Sequence, residues 1–214
     1  MKQVRDIELL APAKNPECGI EAIKHGADAV YIGADSFGAR AAAGNSIEDI
    51  ARLVEYAHNY YARVYVTVNT ILKEEELETA QKLIWELYKI GVDAILVQDM
   101  AILQMQLPPI ALHASTQADV RSVEKVRFLA EAGFSRVVLA RELSLDEIIA
   151  IHNACPDVEL ECFAKRIGKG FFILPSSIHE CILISSQTGY TQRELARMVT
   201  EINQNHVDER EVLS

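Results

Sequence analysis

Short apolar runs that end in polar groups recur along the chain. Glu8 leads into Leu9, Leu10 and Ala11; Val30-Tyr31-Ile32-Gly33 ends at Asp35; Val64-Tyr65-Val66-Thr67-Val68 ends at Asn69 and Thr70. Ile95-Leu96-Val97 runs into Gln98, Ile110-Ala111-Leu112 into His113, Ser115, Thr116 and Gln117, and Val137-Val138-Leu139-Ala140 into Arg141 and Glu142. Both neighbours of Tyr31 are apolar, as in strands covered on both faces. The pattern predicts strands over 8–13, 29–33, 63–69, 94–98, 110–117, 136–140 and 158–163. Between them lie helical segments. Pro16 suits a first helical turn, and that helix ends near Gly26. Ser46 caps a helix carrying Ile50, Leu53, Val54 and Ala57 at helical spacing. A long helix is expected over 73–90, a short one over 101–106 and another over 120–132, closed by Gly133. Ser144 with Glu147 forms a capping box that starts the sixth.

Seven strands alternating with six helical segments call for an α/β fold with a parallel sheet. No glycine fingerprint follows the first strand, which argues against a dinucleotide-binding sheet. Polar groups at nearly every strand end favour a TIM-barrel-like (β/α) barrel, whose loops converge on one face. That barrel is one strand short over residues 1–163. The stretch 164–214 is less regular: Lys165, Arg166 and Lys169 sit among glycines, followed by an apolar run at 178–184. A second capping box, Thr191 with Glu194, precedes Leu195, Met198, Val199 and Ile202 on one helical face. This divergent tail is the available source of an eighth strand and a closing helix.

With 214 residues the chain holds about one domain of ordinary composition. The 21 basic and 31 acidic residues give a net charge of −10, too acidic for a protein that coats nucleic acid, although a local basic groove is compatible with it. Cys18, Cys155, Cys162 and Cys181 form no C-x-x-C pair, so spacing suggests neither a zinc knuckle nor a redox dithiol. No window approaches the ~20 apolar residues of a membrane span. A reduced cytoplasmic setting without membrane contact is expected.

The candidate site residues follow from the strand tips. His113 has a side chain that titrates near neutrality and is the candidate general acid or base; the alternative is an imidazole that only bonds a neighbouring loop. Asn69, Gln98 and Gln117 carry both donor and acceptor for a carbonyl, carboxylate or base edge, with Ser115 beside them. Arg141 could hold a carboxylate with Glu142 orienting it, or the two could form a rim ion pair. Arg40, in a glycine-flanked loop, is a candidate anion contact. Glu8 and Glu161 lie on strands and need partners if buried; Arg141 or His113 is available, which would make both glutamates supporting residues. There is no G-x-S-x-G elbow for a nucleophilic serine.

Several runs resemble peptidase family U32, the collagenase-like peptidases: E-L-L-A-P-A (8–13), H-G-A-D-A-V-Y-I-G-A-D (25–35), G-N-S-I-E-D-I-A (44–51), V-T-V-N-T-I-L (66–72), V-Q-D-M (97–100), L-P-P-I-A-L-H-A-S-T-Q (107–117) and V-L-A-R-E-L-S-L (138–145). The likeness covers nearly all of 7–163 and implies a barrel. G-N-S-I-E and L-P-P-I-A-L-H-A-S-T-Q are most similar to the branch that hydroxylates a cytidine of 23S ribosomal RNA with prephenate-derived chemistry. That resemblance implies 23S rRNA or a ribosome precursor as partner and a small carboxylate co-substrate. Arg141 and Arg40 would hold anions, and Asn69, Gln98, His113 and Gln117 would position a flipped base.

After E-L-E-x-F, present here as Glu159 to Phe163, the family continues with His-Gly-Ala-Leu-Cys and then Ser-Gly-x-Cys. This chain continues with Ala164-Lys165-Arg166-Ile167-Gly168. An iron–sulfur cluster of the kind family members use takes about four thiolates, and Cys162 with Cys181 does not supply them. The resemblance therefore leaves three readings: a relative of the rRNA cytidine hydroxylases, active or disabled by the missing cysteines, a peptidase by family label, or a non-catalytic fragment or binding scaffold.

Overall fold

A computed structural model describes residues 7–38, 44–167, 170–173 and 182–186; of residues 7, 164–167, 170–173 and 182–186 it describes the backbone. Arg40 and the expected terminal helix of the tail lie outside the described residues.

Seven strands run parallel in sequence order: β1 (Ile7–Ala13), β2 (Ala29–Gly33), β3 (Arg63–Val68), β4 (Ala94–Val97), β5 (Ala111–Ala114), β6 (Arg136–Val138) and β7 (Glu159–Ile167). The helices α1 (Pro16–Lys24), α2 (Ile47–Asn59), α3 (Leu77–Lys89), α4 (Val123–Glu131) and α5 (Leu145–Ala154) fall between them. β8 (Gly170–Ile173) folds back antiparallel on the far end of β7. β9 (Ile182–Ser186) lies between β7 and β1, antiparallel to both. The ring thus gains its eighth strand from the tail, as the sequence allowed, but laid against the direction of the other seven. β7 also crosses residue 163, where a boundary between barrel and tail was expected.

Three of the five helices return to the sheet by the same device. Gly26, Gly91 and Gly133 end α1, α3 and α4 with φ of 98°, 87° and 104°, a left-handed conformation that a side chain resists. The next residue, Ala27, Val92 or Phe134, is buried. The one after it ties the new strand to the preceding one. Asp28 accepts from the Leu9 amide at 3.1 Å and Asp93 from the Val64 amide at 2.7 Å, while Ser135 donates to the Leu112 carbonyl at 3.3 Å. Helix starts are equally local: Asn15 accepts from the Cys18 amide, and Ser46 with Asp49 and Ser144 with Glu147 form reciprocal capping boxes.

Two starts differ from expectation. The segment from Lys73 opens with a 3-10 turn at Glu74–Glu76 because Glu76 caps the Lys73 amide, and the α-helix begins at Leu77. The fourth helix begins at Val123 rather than 120, since Val120 bridges to Leu139 and Ser122 caps Lys125.

Strand alternation divides the core. Val30, Ile32, Val64, Val66, Ile95, Val97, Val137 and Leu160 face outward and pack on Leu53, Val54, Ile84, Leu87, Leu129 and Ile151 of the helices. Leu10, Ala29, Tyr65, Ala94 and Leu96 fill the inside. That inner filling is also ionic. Arg136, 1% exposed, reaches Glu8 at 2.6 Å and Glu159 at 2.7 Å, and lies 3.6 Å from Glu161. Tyr65 donates its hydroxyl to Glu8, and Arg63 joins Glu8 at 3.1 Å.

Candidate functional site

The carboxyl ends of the parallel strands open onto one cavity of about 860 Å³. Its wall takes Pro12 and Lys14 from the end of β1, Tyr31 and Gly33 from β2, and Thr67 and Asn69 from β3. Ser115 and Gln117 follow β5, Arg141 and Glu142 follow β6, and Glu161 and Phe163 come from β7. Gathering at the carboxyl end is what a parallel barrel imposes, because every loop there follows a strand rather than precedes one.

Hydrogen bonds set this rim. Ser115, 2% exposed, accepts from Asn69 Nδ2 at 3.0 Å and from the Gln117 amide at 3.3 Å, coupling the tips of β3 and β5. Asn45 is buried and donates to the carbonyls of Lys14 at 3.1 Å and Gly33 at 2.8 Å, which pins the ends of β1 and β2. Gly38 lies so close that a Cβ there would stand 3.2 Å from Thr67 Oγ1.

Of the residues expected at the tips, the structure brings together Asn69, Ser115, Gln117, Arg141, Glu142 and Glu161. Three others lie off the wall. His113 precedes Ser115 by two residues, so it faces inward one layer deeper, 4% exposed, with its ring edge-on to Tyr65 at 4.8 Å between centroids. Burial, with Arg136 and Arg63 nearby, holds its pKa well below the usual histidine value, so the imidazole is neutral. The tip of β5 is therefore Ser115, not His113. Gln98 also stands off the wall, and Glu8 lies at the opposite end of β1 in the ionic filling.

The expected partnerships also change. Arg136, not Arg141 or His113, meets Glu8 and Glu161. Arg141 does not pair with Glu142: its guanidinium lies over the Phe163 ring at 4.2 Å, and Glu142 pairs with Arg121 at 3.2 Å. Arg121 also holds Asp119 at 2.6 Å. Arg121 thus engages both acids on this part of the rim, while Lys14 and Arg141 make no ion pair among the described residues.

Sequence reading missed Lys14, Tyr31, Thr67 and Phe163 on the wall. Alternation counted back from the strand ends finds them, since Tyr31, Gly33 and Thr67 share one face with Pro12. It also missed Arg136, whose signal is a lone arginine opening an otherwise apolar run.

Glu161 is the deepest polar group of the wall. It is 0% exposed, and neither carboxyl oxygen has a hydrogen-bond partner among the described residues. Burial raises its pKa to about 7 against the opposing pull of Arg136.

No group of three or more His, Cys, Asp or Glu among the described residues is arranged to hold a metal ion. Cys18 is exposed on α1, Cys155 ends α5, and Cys162 packs in the outer core, its thiol pushed up to about 12 by burial. Three thiols on three separate elements do not fit an iron–sulfur cluster.

Parallel strands ringed by helices, with their polar tips gathered at one mouth, define a TIM-barrel-like α/β protein. The solved U32 peptidase Mk0906 shares the fold, with a TM-score of 0.56 at 13% identity over 75% of this chain and 70% of that one. The family model of peptidase family U32 matches residues 14–172, and the chain belongs to that family. A model for a family of unknown function also matches residues 154–214. The chain is 59% identical over 183 residues to the 23S rRNA 5-hydroxycytidine C2501 synthase of Escherichia coli, covering 86% of this chain and 27% of that protein. It is 39% identical over 160 residues to the tRNA hydroxylation protein P1 of Bacillus subtilis, covering 73% of this chain and 38% of that protein. It therefore spans well under half the length of either relative. No helix among the described residues is long and apolar enough to cross a membrane.

Proposed function

We propose that this barrel is the substrate-binding part of a system that hydroxylates a cytidine of 23S rRNA. The observation that carries this reading is the 59% identity to the 23S rRNA 5-hydroxycytidine synthase, against 39% to the tRNA hydroxylation protein. The mouth suits the task. Lys14 and Arg141, without carboxylate partners among the described residues, serve as contacts for phosphate or for the carboxylate of a small co-substrate. Asn69, Thr67 and Gln117 offer paired donors and acceptors to a flipped base.

The test is binding of a short 23S rRNA fragment containing the target cytidine, measured by fluorescence anisotropy beside the same fragment abasic at that position. A base seated in the mouth predicts at least tenfold weaker binding of the abasic fragment. Two phosphate contacts predict a log–log salt slope of roughly −1.4. Equal affinity for both fragments refutes the reading.

A further inference from the structure

Glu161 is poorly explained as a structural residue. A buried carboxyl whose oxygens bond nothing forfeits its hydration without replacement. Its neighbours show what a structural carboxylate looks like here: Glu8 receives Tyr65, Arg63 and Arg136, and Glu159 receives two nitrogens of Arg136. With those contacts made, Arg136 comes only to 3.6 Å from Glu161. A leucine would fill the position at lower cost. Instead the strand places a carboxyl without a hydrogen bond among the described residues on the cavity wall, which Tyr31 and Phe163 also line.

Charge within the cavity is ordered from top to bottom. The cations Lys14 and Arg141, unpaired among the described residues, belong to the loops at the rim, and the acid Glu161 lies within the strand β7 below them. An anionic group brought to the floor would meet a carboxyl in a site with little water, so a ligand's phosphate or carboxylate belongs at the rim. What satisfies the floor is a neutral edge bearing an N–H.

We propose that Glu161 is the base-contacting residue of this site, holding the N3/N4 edge of a cytosine whose phosphate is anchored by Lys14 and Arg141. This rests on the proposed function and extends it to one residue and one ligand orientation. The cytosine amino group donates to one carboxyl oxygen, and the protonated other oxygen donates to N3. Burial keeps that proton on through much of the neutral range. No covalent step is involved.

The experiment measures binding of cytidine 5′-monophosphate and of ribose 5-phosphate by calorimetry. Protection of Cys18 from maleimide serves as a second readout, because that exposed thiol lines the cavity; Cys18→Ser identifies its signal. Glu161→Leu is expected to weaken the nucleotide at least tenfold and ribose 5-phosphate less than twofold. Glu161→Gln, which keeps a donor and an acceptor, should stay within about threefold of the wild type. Nucleotide affinity of the wild type should fall as pH rises through 7, and that of Glu161→Gln should stay flat.

Unchanged nucleotide binding by Glu161→Leu overturns the proposal, as does equal weakening of both ligands. The rRNA fragments are measured in parallel with wild type. If the wild type still prefers the intact fragment while Glu161→Leu binds the nucleotide normally, only the role of Glu161 fails. If the wild type shows no preference and no nucleotide binding, the functional reading fails with it.

Discussion

Replacing Arg136 by methionine would leave carboxylates stranded in the barrel. The guanidinium is 1% exposed, bonds Glu8 at 2.6 Å and Glu159 at 2.7 Å, and stands 5.2 Å over the Tyr65 ring. Glu159, with a quarter of its side chain exposed, can rehydrate; Glu8 at 13% and Glu161 at 1% cannot. Removing one member of a buried ionic group costs roughly 3–5 kcal/mol, a large share of the ~5–15 kcal/mol that keeps a domain folded. The loss should depend on pH. Without Arg136 the buried carboxyls ionise less readily in the folded state than in the unfolded chain, so acid favours folding of the variant. Urea unfolding followed by far-ultraviolet circular dichroism should show a deficit of about 3–5 kcal/mol at pH 7.5, clearly smaller at pH 5.5. A deficit under about 1 kcal/mol at pH 7.5, or one unchanged by acid, refutes the ionic filling as described.

Glu161 has its pKa raised from 4.5 to about 7. Its contribution to stability is therefore complete below pH 4.5 and is lost as pH rises to about 7, a change of about 3 kcal/mol that Glu161→Gln should remove from urea titrations. Native alkylation should modify exposed Cys18 quickly and spare buried Cys155 and Cys162, as mass spectrometry of peptides would show; rapid labelling of Cys162 contradicts its placement. Gly19→Ala puts a methyl 2.8 Å from Leu53 Cδ1. Overpacking of roughly 1–3 kcal/mol should outweigh a helix-propensity gain of about 1 kcal/mol, so the melting temperature falls. Ser144→Ala removes the cap on α5 and should cost about 1 kcal/mol in the same urea assay.

Strand positions were legible in the sequence because the apolar runs end in polar residues and three of them follow a glycine turn. Those signals are local, as the Gly26, Gly91 and Gly133 turns show. Helix starts at Leu77 and Val123 were not, because they depend on Glu76 capping Lys73 and on Val120 pairing with Leu139. For the site, the sequence identified which loops meet, but not how deep each side chain lies. His113 was counted among the tips although the strand period puts it a layer below Ser115. Arg136 was passed over because no local pattern announces a cation that closes on Glu8, 128 positions away. Direction in the tail was equally hidden: an apolar run at 178–184 does not say which way it will be laid.

That reversed strand decides on which side of the drum the tail strand finishes. Ile182 of β9 is paired beside Ala164, while Ser186 lies beside Ile7 at the start of β1. Ser186 consequently stands at the underside of the drum, away from the cavity mouth. The tail strand thus ends on the face opposite the one where the loops after the parallel strands gather.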